Sequence, residues 1–272
     1  MEPSEKIGNV SNSFLDQFSC VVTTDINVRH SNVIHANFHT WWAGINVAHK
    51  NNKHLFSSCV NLDYDDFISQ MYSLNNKLSR ICCIVSNKSF LPGHVNRLDM
   101  VKELINSPVG QYIDLYGSIG QPFSDKYQVQ SRYKYSLVLE NTILPHYWSE
   151  KLADSFLARS YPFYLGCPNI EKYFDEDSMT IINDMTPPQV SEAILKALDA
   201  DLFSQKVTSI FSSMRKVLDE YNIFNQMARL SIGPTSGRKH IMLKPNIYFV
   251  ENRLERFRRK LSLAKRFATR SL

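Results

Sequence analysis

The chain has 272 residues, a hydrophobic fraction of 43% and a formal net charge of +5. Such a length and composition allow one large hydrophobic core or two modest ones. The charge is concentrated at the end: residues 251–272 contain eight Arg or Lys against two Glu, so this tail carries +6. The rest of the chain is close to neutral.

No apolar run approaches the roughly 18 residues of a membrane-spanning helix, and the first twenty residues lack a signal-peptide pattern. The five cysteines form no CxxC pair, which favours reduced, buried thiols over a disulfide framework. The sequence therefore predicts a cytoplasmic protein. A Golgi location is expected instead if the chain is part of a longer, membrane-anchored form.

The first segment, residues 1–79, has weak strand signals followed by a helical pattern. The stretches FSCVVTT and VIHANF are apolar and β-branched, and a polar turn separates them. In YDDFISQMYSLNNKL, the spacing of Phe67, Met71, Leu74 and Leu78 predicts one face of a helix. We place a domain boundary near Ser79.

Residues 80–230 show a regular alternation of strands and helices. The predicted strands are ICCIV, YIDLYG, YSLVLEN, YPFYLG and MTIIND. One predicted helix ends near Asn106, and SEKLADSFLAR is another. This alternation predicts an α/β domain with a doubly wound parallel sheet, in which ligands bind at the carboxyl ends of the strands. Two further helices are predicted in PPQVSEAILKAL and KVTSIFSSMRKVLDEYNIF.

Residues 231–272 end in a basic amphipathic helix, with Leu254, Phe257, Leu261, Ala264 and Ala268 on one stripe. Such a helix is typical of contact with a membrane surface or a partner, although a simple solvated helix fits the pattern equally. We expect peripheral membrane contact through this tail and no nucleic-acid partner.

The third predicted strand leads through a loop into Glu150 and Lys151, which open the next helix. Unpaired backbone N–H groups and the helix dipole favour an anion there, and a lysine suits a phosphate. An ordinary capped first turn would have the same local sequence. The strand itself ends in Glu140-Asn141-Thr142, polar groups at the expected ligand-binding edge.

Several motifs around this loop resemble the α-1,3/1,4-fucosyltransferases, glycosyltransferase family 10. The family shows F-E-N-S, a short loop and Y-x-T-E-K, where this chain reads L-E-N-T-I-L-P-H-Y-W-S-E-K from Leu139 to Lys151. The stretches IVSNKS, VNRLDMVKEL, IDLYGSIG and DSFLARSYPFYLGCPNIEKYF resemble further family elements in the same order. The resemblance covers about Ile81 to Asp184.

The resemblance implies a GT-B-like fold of two Rossmann-like halves, with the C-terminal donor-binding half complete, the N-terminal half reduced, and C-terminal helices. It also implies GDP-fucose as the donor and an oligosaccharide or glycoconjugate acceptor. Arg97 and Lys151 would neutralise the diphosphate. Glu150 would stabilise positive charge on fucose in the transition state. The implied donor-binding residues are Ser86, Asn87, Arg97, Tyr116, Gly117, Glu140, Asn141, Tyr147, Ser149 and Lys151.

In this family, a glutamate in an F-E-S-P-like segment of the N-terminal domain deprotonates the acceptor hydroxyl. By its spacing to Phe18, Glu2 is our candidate base, with Glu5 second. Family members have a longer stretch ahead of this glutamate, so the resemblance leaves catalytic competence open.

The predicted activity is inverting transfer of fucose from GDP-fucose to a glycan hydroxyl, as an α-1,3 linkage to an N-acetylglucosamine-type sugar. Two alternatives remain: an inactive GDP-sugar-binding remnant acting as an interaction protein, and a GT-B transferase that uses another GDP-sugar. No cofactor or metal is expected, because positive side chains neutralise the phosphates. His35 and His39 fall in a predicted strand, and Asp63 and Asp65 fit a helix N-terminus, so neither pair predicts a metal site.

Overall fold

The computed structural model describes residues 10–37, 41–50, 53–60, 62–69, 74–231 and 243–244. The chain divides into two compact units, residues 1–36 with 233–272, and residues 37–232. In the first unit, helix α1 (Asn12–Leu15) precedes strands β1 (Val21–Thr23) and β2 (Val33–His35). These two strands pair in parallel. The side chain of Gln17 binds the backbone of Lys244 through two hydrogen bonds of 2.9 and 2.8 Å.

The second unit begins with an antiparallel hairpin and then forms the main sheet. The hairpin strands are β3 (Ile45–Lys50) and β4 (Lys53–Val60), and helix α2 (Tyr64–Ser69) follows. The strands of the main sheet are β5 (Leu78–Ile84), β6 (Ile113–Tyr116), β7 (Tyr133–Leu139), β8 (Tyr161–Leu165) and β9 (Thr180–Ile181). The helices around it are α3 (Pro92–Ile105), α4 (Lys126–Gln130), α5 (Glu150–Leu157), α6 (Pro187–Asp199), α7 (Leu202–Asp219) and α8 (Ile223–Ser231).

The main sheet has the strand order β6-β5-β7-β8-β9, and all of its pairings are parallel. Strand order reverses between β5 and β7, because the chain goes outward from β5 to β6 and then returns to the other side of β5. In a doubly wound sheet such a switch point opens a crevice at the carboxyl ends of the two strands. The topology therefore predicts the ligand site beside the ends of β5 and β7.

Burial on both faces explains the apolar sequence of the central strands. Six of the seven residues of β7 are buried, so both faces of the strand are covered, and helices α4 and α5 contact β7 directly. The core includes Phe156, Phe163 and Tyr164, each fully shielded from solvent. Such burial on both faces is characteristic of parallel sheets in α/β proteins.

The five predicted strands of residues 80–230 are all present and in parallel, which confirms the α/β prediction. The N-terminal strand prediction is confirmed too, although the hairpin of β3 and β4 was not predicted. The predicted domain boundaries near residues 79 and 230 stay predictions. Glu2, Glu5, His39 and the tail of residues 251–272 lie outside the described residues.

The predicted helix over residues 64–78 is too long. The described helix α2 spans Tyr64–Ser69, but a 3₁₀ turn spans Leu74–Asn76 and the sheet begins at Leu78. Lys77 explains the change, because its ammonium group is buried and donates to the carbonyls of Ser131, Tyr133 and Ala158 at 2.6, 3.1 and 2.9 Å. These bonds fix the chain at the start of β5, where a helix could not continue. None of the helices in the described ranges combines the length and hydrophobicity of a transmembrane segment.

Truncation of Phe163 tests this core. The ring is 0% exposed in the central sheet, so we expect Phe163→Ala to lower the free energy of unfolding by about 3–5 kcal/mol. Phe224, which is 72% exposed, provides the matched control, and Phe224→Ala is expected to change stability by under about 0.5 kcal/mol. Urea denaturation of both variants measures the difference. Equal effects would contradict the placement of Phe163 in the core.

Candidate functional site

The candidate site lies at the carboxyl ends of β5 and β7, on either side of the switch point. Ser86 and Asn87 follow β5, and Glu140 and Asn141 follow β7. Helix α3 begins with Pro92 in its first turn and passes this edge. The Ser86-Asn87 motif and the Glu140-Asn141 motif, which are far apart in the sequence, therefore lie at the same edge of the sheet.

Arg97 connects the two strand ends. Its guanidinium group donates to the backbone carbonyl of Ser86 at 2.9 Å, to the Ser86 hydroxyl at 3.3 Å, and to the side-chain oxygen of Asn141. Arg97 is only 5% exposed, and burial lowers its pKa from the ordinary value. Its Nε atom is buried without a hydrogen-bond partner among the described residues. The site therefore contains a buried cation whose hydrogen bonds within the described chain go to neutral groups.

Two glycines allow the backbone to pack closely around these strand ends. A Cβ atom on Gly93 in α3 would lie 1.8 Å from the carbonyl oxygen of Asn141. Gly117, directly after β6, has φ +99°, and a Cβ there would lie 2.4 Å from the carbonyl oxygen of Val85. An L-residue would be strained at Gly117 by its dihedral as well as by this contact. Both contacts require glycine.

Tyr116, which precedes Gly117, is 7% exposed. Its hydroxyl group forms a hydrogen bond of 2.8 Å with that of Tyr133. The two tyrosine rings are also in edge-to-face contact, with centroids 6.2 Å apart. The predicted role of Tyr116 and Gly117 in contacting guanosine stays a prediction.

Glu140 is the central acceptor of the second half of the site. Its side chain is completely buried and accepts hydrogen bonds from the Ser149 backbone N–H at 2.8 Å and from the Ser149 hydroxyl at 2.7 Å. Lys151 Nζ donates to Glu140 Oε2 at 3.2 Å and to Ser149 Oγ at 3.0 Å. Ser149 is also the N-cap of α5, accepting from the backbone N–H of Lys151. These contacts indicate that Glu140 positions Ser149 and Lys151.

Lys151 and Glu150 form a partly exposed ion pair beside the buried Glu140. Lys151 Nζ lies 3.5 Å from Glu150 Oε1, and their side chains are 24% and 26% exposed. Burial disfavours the ammonium charge, but the carboxylates of Glu140 and Glu150 outweigh it and raise the pKa of Lys151 above its ordinary value. Lys151 is therefore a permanent cation at physiological pH.

The loop between β7 and α5 is held by two side chains of the segment that follows β8. Tyr147 is buried at 7% exposure, and His146 before it has φ +63°. The backbone N–H of His146 donates to Asn169 Oδ1 at 2.7 Å, and His146 Nδ1 lies 2.8 Å from the Tyr173 hydroxyl. Asn169 and Tyr173 therefore stabilise the loop in the conformation that places Tyr147.

Some residues of the site were not singled out from the sequence. A Cβ on Gly166, after β8, would lie 2.3 Å from the Tyr164 hydroxyl and 2.7 Å from Glu140 Cγ; a glycine directly after a strand was the available signal. Asp154 is fully buried and forms an ion pair of 2.7 Å with Lys126. Asp154 falls four residues after Glu150, on the same helix face, whereas Lys126 carries no sequence signal.

The predicted donor-site residues thus fall into two adjoining groups. Ser86, Arg97 and Asn141 form one, and Glu140, Ser149, Glu150 and Lys151 form the other; Asn87 is exposed beside the first. The adjacent residues Glu140 and Asn141 join the groups. No cluster of three or more His, Cys, Asp or Glu side chains that could hold a metal occurs within the described ranges.

Glu140→Gln tests the buried ion pair. The amide loses the charge that pairs with Lys151 and adds a donor beside Ser149, so we expect the free energy of unfolding to fall by about 1–3 kcal/mol. Glu192→Gln is the matched control, since its 2.7 Å pair with Lys196 is 66% and 74% exposed; water screens such a pair, so we expect a much smaller effect on stability there. Chemical denaturation compares the two variants. An equally small effect at both positions would contradict the role assigned to Glu140.

Comparison with known proteins identifies the family of this chain. Residues 74–211, more than half of the chain, match the model of glycosyltransferase family 10 (fucosyltransferase), C-terminal part. The 4-galactosyl-N-acetylglucosaminide 3-alpha-L-fucosyltransferase 9 of Bos taurus is 34% identical over 134 residues, which are 47% of this chain and 36% of that protein. The GDP-fucose protein O-fucosyltransferase 3 of Danio rerio is 34% identical over 76 residues, 28% of this chain and 17% of that one.

A crystal structure of an alpha1,3-fucosyltransferase with GDP-fucose is similar over 53% of this chain and 49% of that one, with 19% identity and a TM-score of 0.41. The chain thus spans about a third of the length of the first of these curated relatives. The family match covers all five strands of the main sheet and the candidate site between them. The chain belongs to glycosyltransferase family 10, the fucosyltransferase family, through that family's C-terminal domain.

Proposed function

We propose that this chain binds GDP-fucose at the carboxyl ends of β5 and β7 and transfers fucose, with inversion, to a hydroxyl of a glycan acceptor. The observation that carries the proposal is the pair of cations at the switch point, Arg97 and Lys151, each held by hydrogen bonds to the strand ends. Its wider support is membership of the fucosyltransferase family.

Arg97 and Lys151 bind the diphosphate in this proposal. A guanidinium group offers a fixed fork of donors and an ammonium group a compact charge, and both suit phosphate oxygens. Asn141 and Tyr147 add hydrogen bonds to the donor, and Ser86 and Asn87 line its nucleotide or phosphate side. Because these positive charges neutralise the leaving group, we propose that the reaction requires no metal.

Glu150 acts on the sugar. As the bond from fucose C1 to the diphosphate breaks, positive charge develops on the ring, and a nearby carboxylate stabilises it. The acceptor hydroxyl attacks from the opposite face while Glu2 removes its proton. One displacement converts the β-linked donor into an α-linked product.

We propose α-1,3 transfer to an N-acetylglucosamine-type sugar and peripheral membrane contact through the basic tail.

Donor binding tests the phosphate site. Lys151→Ala removes the ammonium charge, and we expect the affinity for GDP-fucose to fall about 100-fold or more, since a charge-assisted contact to phosphate is lost. Isothermal titration calorimetry measures the dissociation constant. Lys196→Ala, which removes an exposed lysine on α6, is expected to bind as the unaltered chain does. Absence of GDP-fucose binding by the unaltered chain would overturn the proposal.

Turnover tests the two carboxylates. Glu150→Gln and Glu2→Gln are expected to retain GDP-fucose binding, because neither glutamate supplies the positive charge that binds the diphosphate. Transfer to an N-acetyllactosamine-type acceptor should fall about 100-fold or more in each, as a transition-state charge or the base is lost. Initial rates with labelled donor provide the measurement. Full activity of either variant would rule out the role given to that glutamate, and binding without turnover by the unaltered chain would favour an inactive sugar-nucleotide-binding protein.

A further inference from the structure

Lys126 belongs to a charge network that the donor-binding motifs do not include. It is the first residue of α4, directly after Asp125, which caps that helix by accepting from the Tyr127 backbone N–H. The Lys126 side chain is 19% exposed, and its Nζ lies 2.7 Å from Asp154 Oδ2 and 3.9 Å from Glu150 Oε1. One ammonium group therefore faces two carboxylates of α5.

Those two carboxylates would repel each other without a shared cation. Glu150 and Asp154 are separated by one turn of α5, so their side chains lie on the same face, where like charges are unfavourable. Asp154 is completely buried, and burial, with Glu150 adding to it, raises the pKa of Asp154, while Lys126 opposes both. A cation between the carboxylates offsets this repulsion.

Asp154 in turn fixes the position of Lys126. Its Oδ1 accepts the backbone N–H groups of Trp42 and Ala43 at 2.7 and 2.8 Å, and its Oδ2 accepts from Lys126. A carboxylate with three hydrogen bonds in a buried position has little freedom to rotate. The ammonium group of Lys126 is consequently held at a defined place beside Glu150.

We propose that Lys126 is a positioning residue that keeps the Glu150 carboxylate ionised and holds it at the mouth of the site. Glu150 Oε1 lies near two ammonium groups, Lys126 at 3.9 Å and Lys151 at 3.5 Å, and the Asp154 carboxylate is a further charge that interacts with it. Lys151 lies on α5 itself and binds phosphate in the proposed function, whereas Lys126 comes from α4 and pairs with Asp154 of α5. The catalytic part of this inference rests on the proposed function, but the electrostatic part does not.

A direct titration of Glu150 tests the electrostatic part. The chain is labelled with ¹³C at the glutamate carboxyl carbons, and the Glu150 signal is assigned with Glu150→Gln. In Lys126→Gln, the loss of a nearby cation disfavours the carboxylate, so the titration midpoint of Glu150 should rise by about 0.5 pH units or more. Lys126→Arg keeps the charge and should retain the original midpoint.

The same variants test the catalytic part. We expect kcat to fall about tenfold in Lys126→Gln and to recover in Lys126→Arg, with the affinity for GDP unchanged, because Glu150 is displaced and not the phosphate-binding groups. The matched control is Lys134→Gln, which breaks a lysine–aspartate pair of 2.8 Å with Asp201 at the other end of β7. That variant should leave both the Glu150 midpoint and kcat unchanged.

Lys126→Gln leaves Asp154 buried without its counter-ion. If that variant fails to fold, Asp154→Asn is compared with Lys126→Gln/Asp154→Asn, a pair that differs only in the charge at position 126. A Glu150 midpoint that is the same with and without this charge overturns the inference and leaves Lys126 as the counter-ion of Asp154 alone. Failure of the unaltered chain to bind GDP-fucose overturns the proposed function instead, while the titration still decides the role of Lys126.

Discussion

The buried carboxylate of Glu140 is the interaction on which the site depends. Glu140 directly follows the central strand β7. Its carboxylate accepts hydrogen bonds from the backbone N–H and the hydroxyl of Ser149 and pairs with Lys151. A buried charge is costly unless it is paired and hydrogen-bonded. These contacts hold the start of α5 against the end of β7. They thereby place Glu150 and Lys151, the first two residues of the helix, at the site. Gly166 leaves the space that this packing needs.

Arg97 has the corresponding function on the other side of the switch point. It comes from α3 and bonds to the ends of both β5 and β7, so three elements meet at one guanidinium group. The strand order makes this possible, because β5 and β7 are neighbours although β6 lies between them in the chain. Arg97 and Lys151 thus both lie where the strands of a doubly wound sheet end, the edge at which such folds bind their ligands.

The sequence predicts the parts of this structure that depend on local patterns. The five strands of the main sheet follow from runs such as ICCIV and YSLVLEN, and the α5 cap follows from Ser149 before Glu150. The helix prediction was wrong for residues 74–78, where apolar spacing favoured a helix but Lys77 binds three carbonyls of distant segments. The contacts of Lys126 and Asp154 could not be predicted for the same reason, because they also join segments that are distant in the sequence. Asp154 accepts from backbone N–H groups more than a hundred residues away in the sequence. Almost every residue has a backbone N–H group, so the sequence does not indicate which residues donate to Asp154.

The hydrogen bonds of Lys151 suggest how donor binding and Glu150 are coupled. An ammonium group has three N–H donors, and Glu140 and Ser149 accept from Lys151 at 3.2 and 3.0 Å, while Glu150 lies farther away at 3.5 Å. In the proposed reaction, a phosphate oxygen competes with Glu150, the weakest of these partners, for Lys151. Binding of the donor would then release Glu150 from Lys151 toward the sugar, and Lys126 would remain to hold it. In the proposed reaction, the two lysines near Glu150 thus have different functions: Lys151 binds the leaving group, and Lys126 stabilises the charge of the Glu150 carboxylate where positive charge develops.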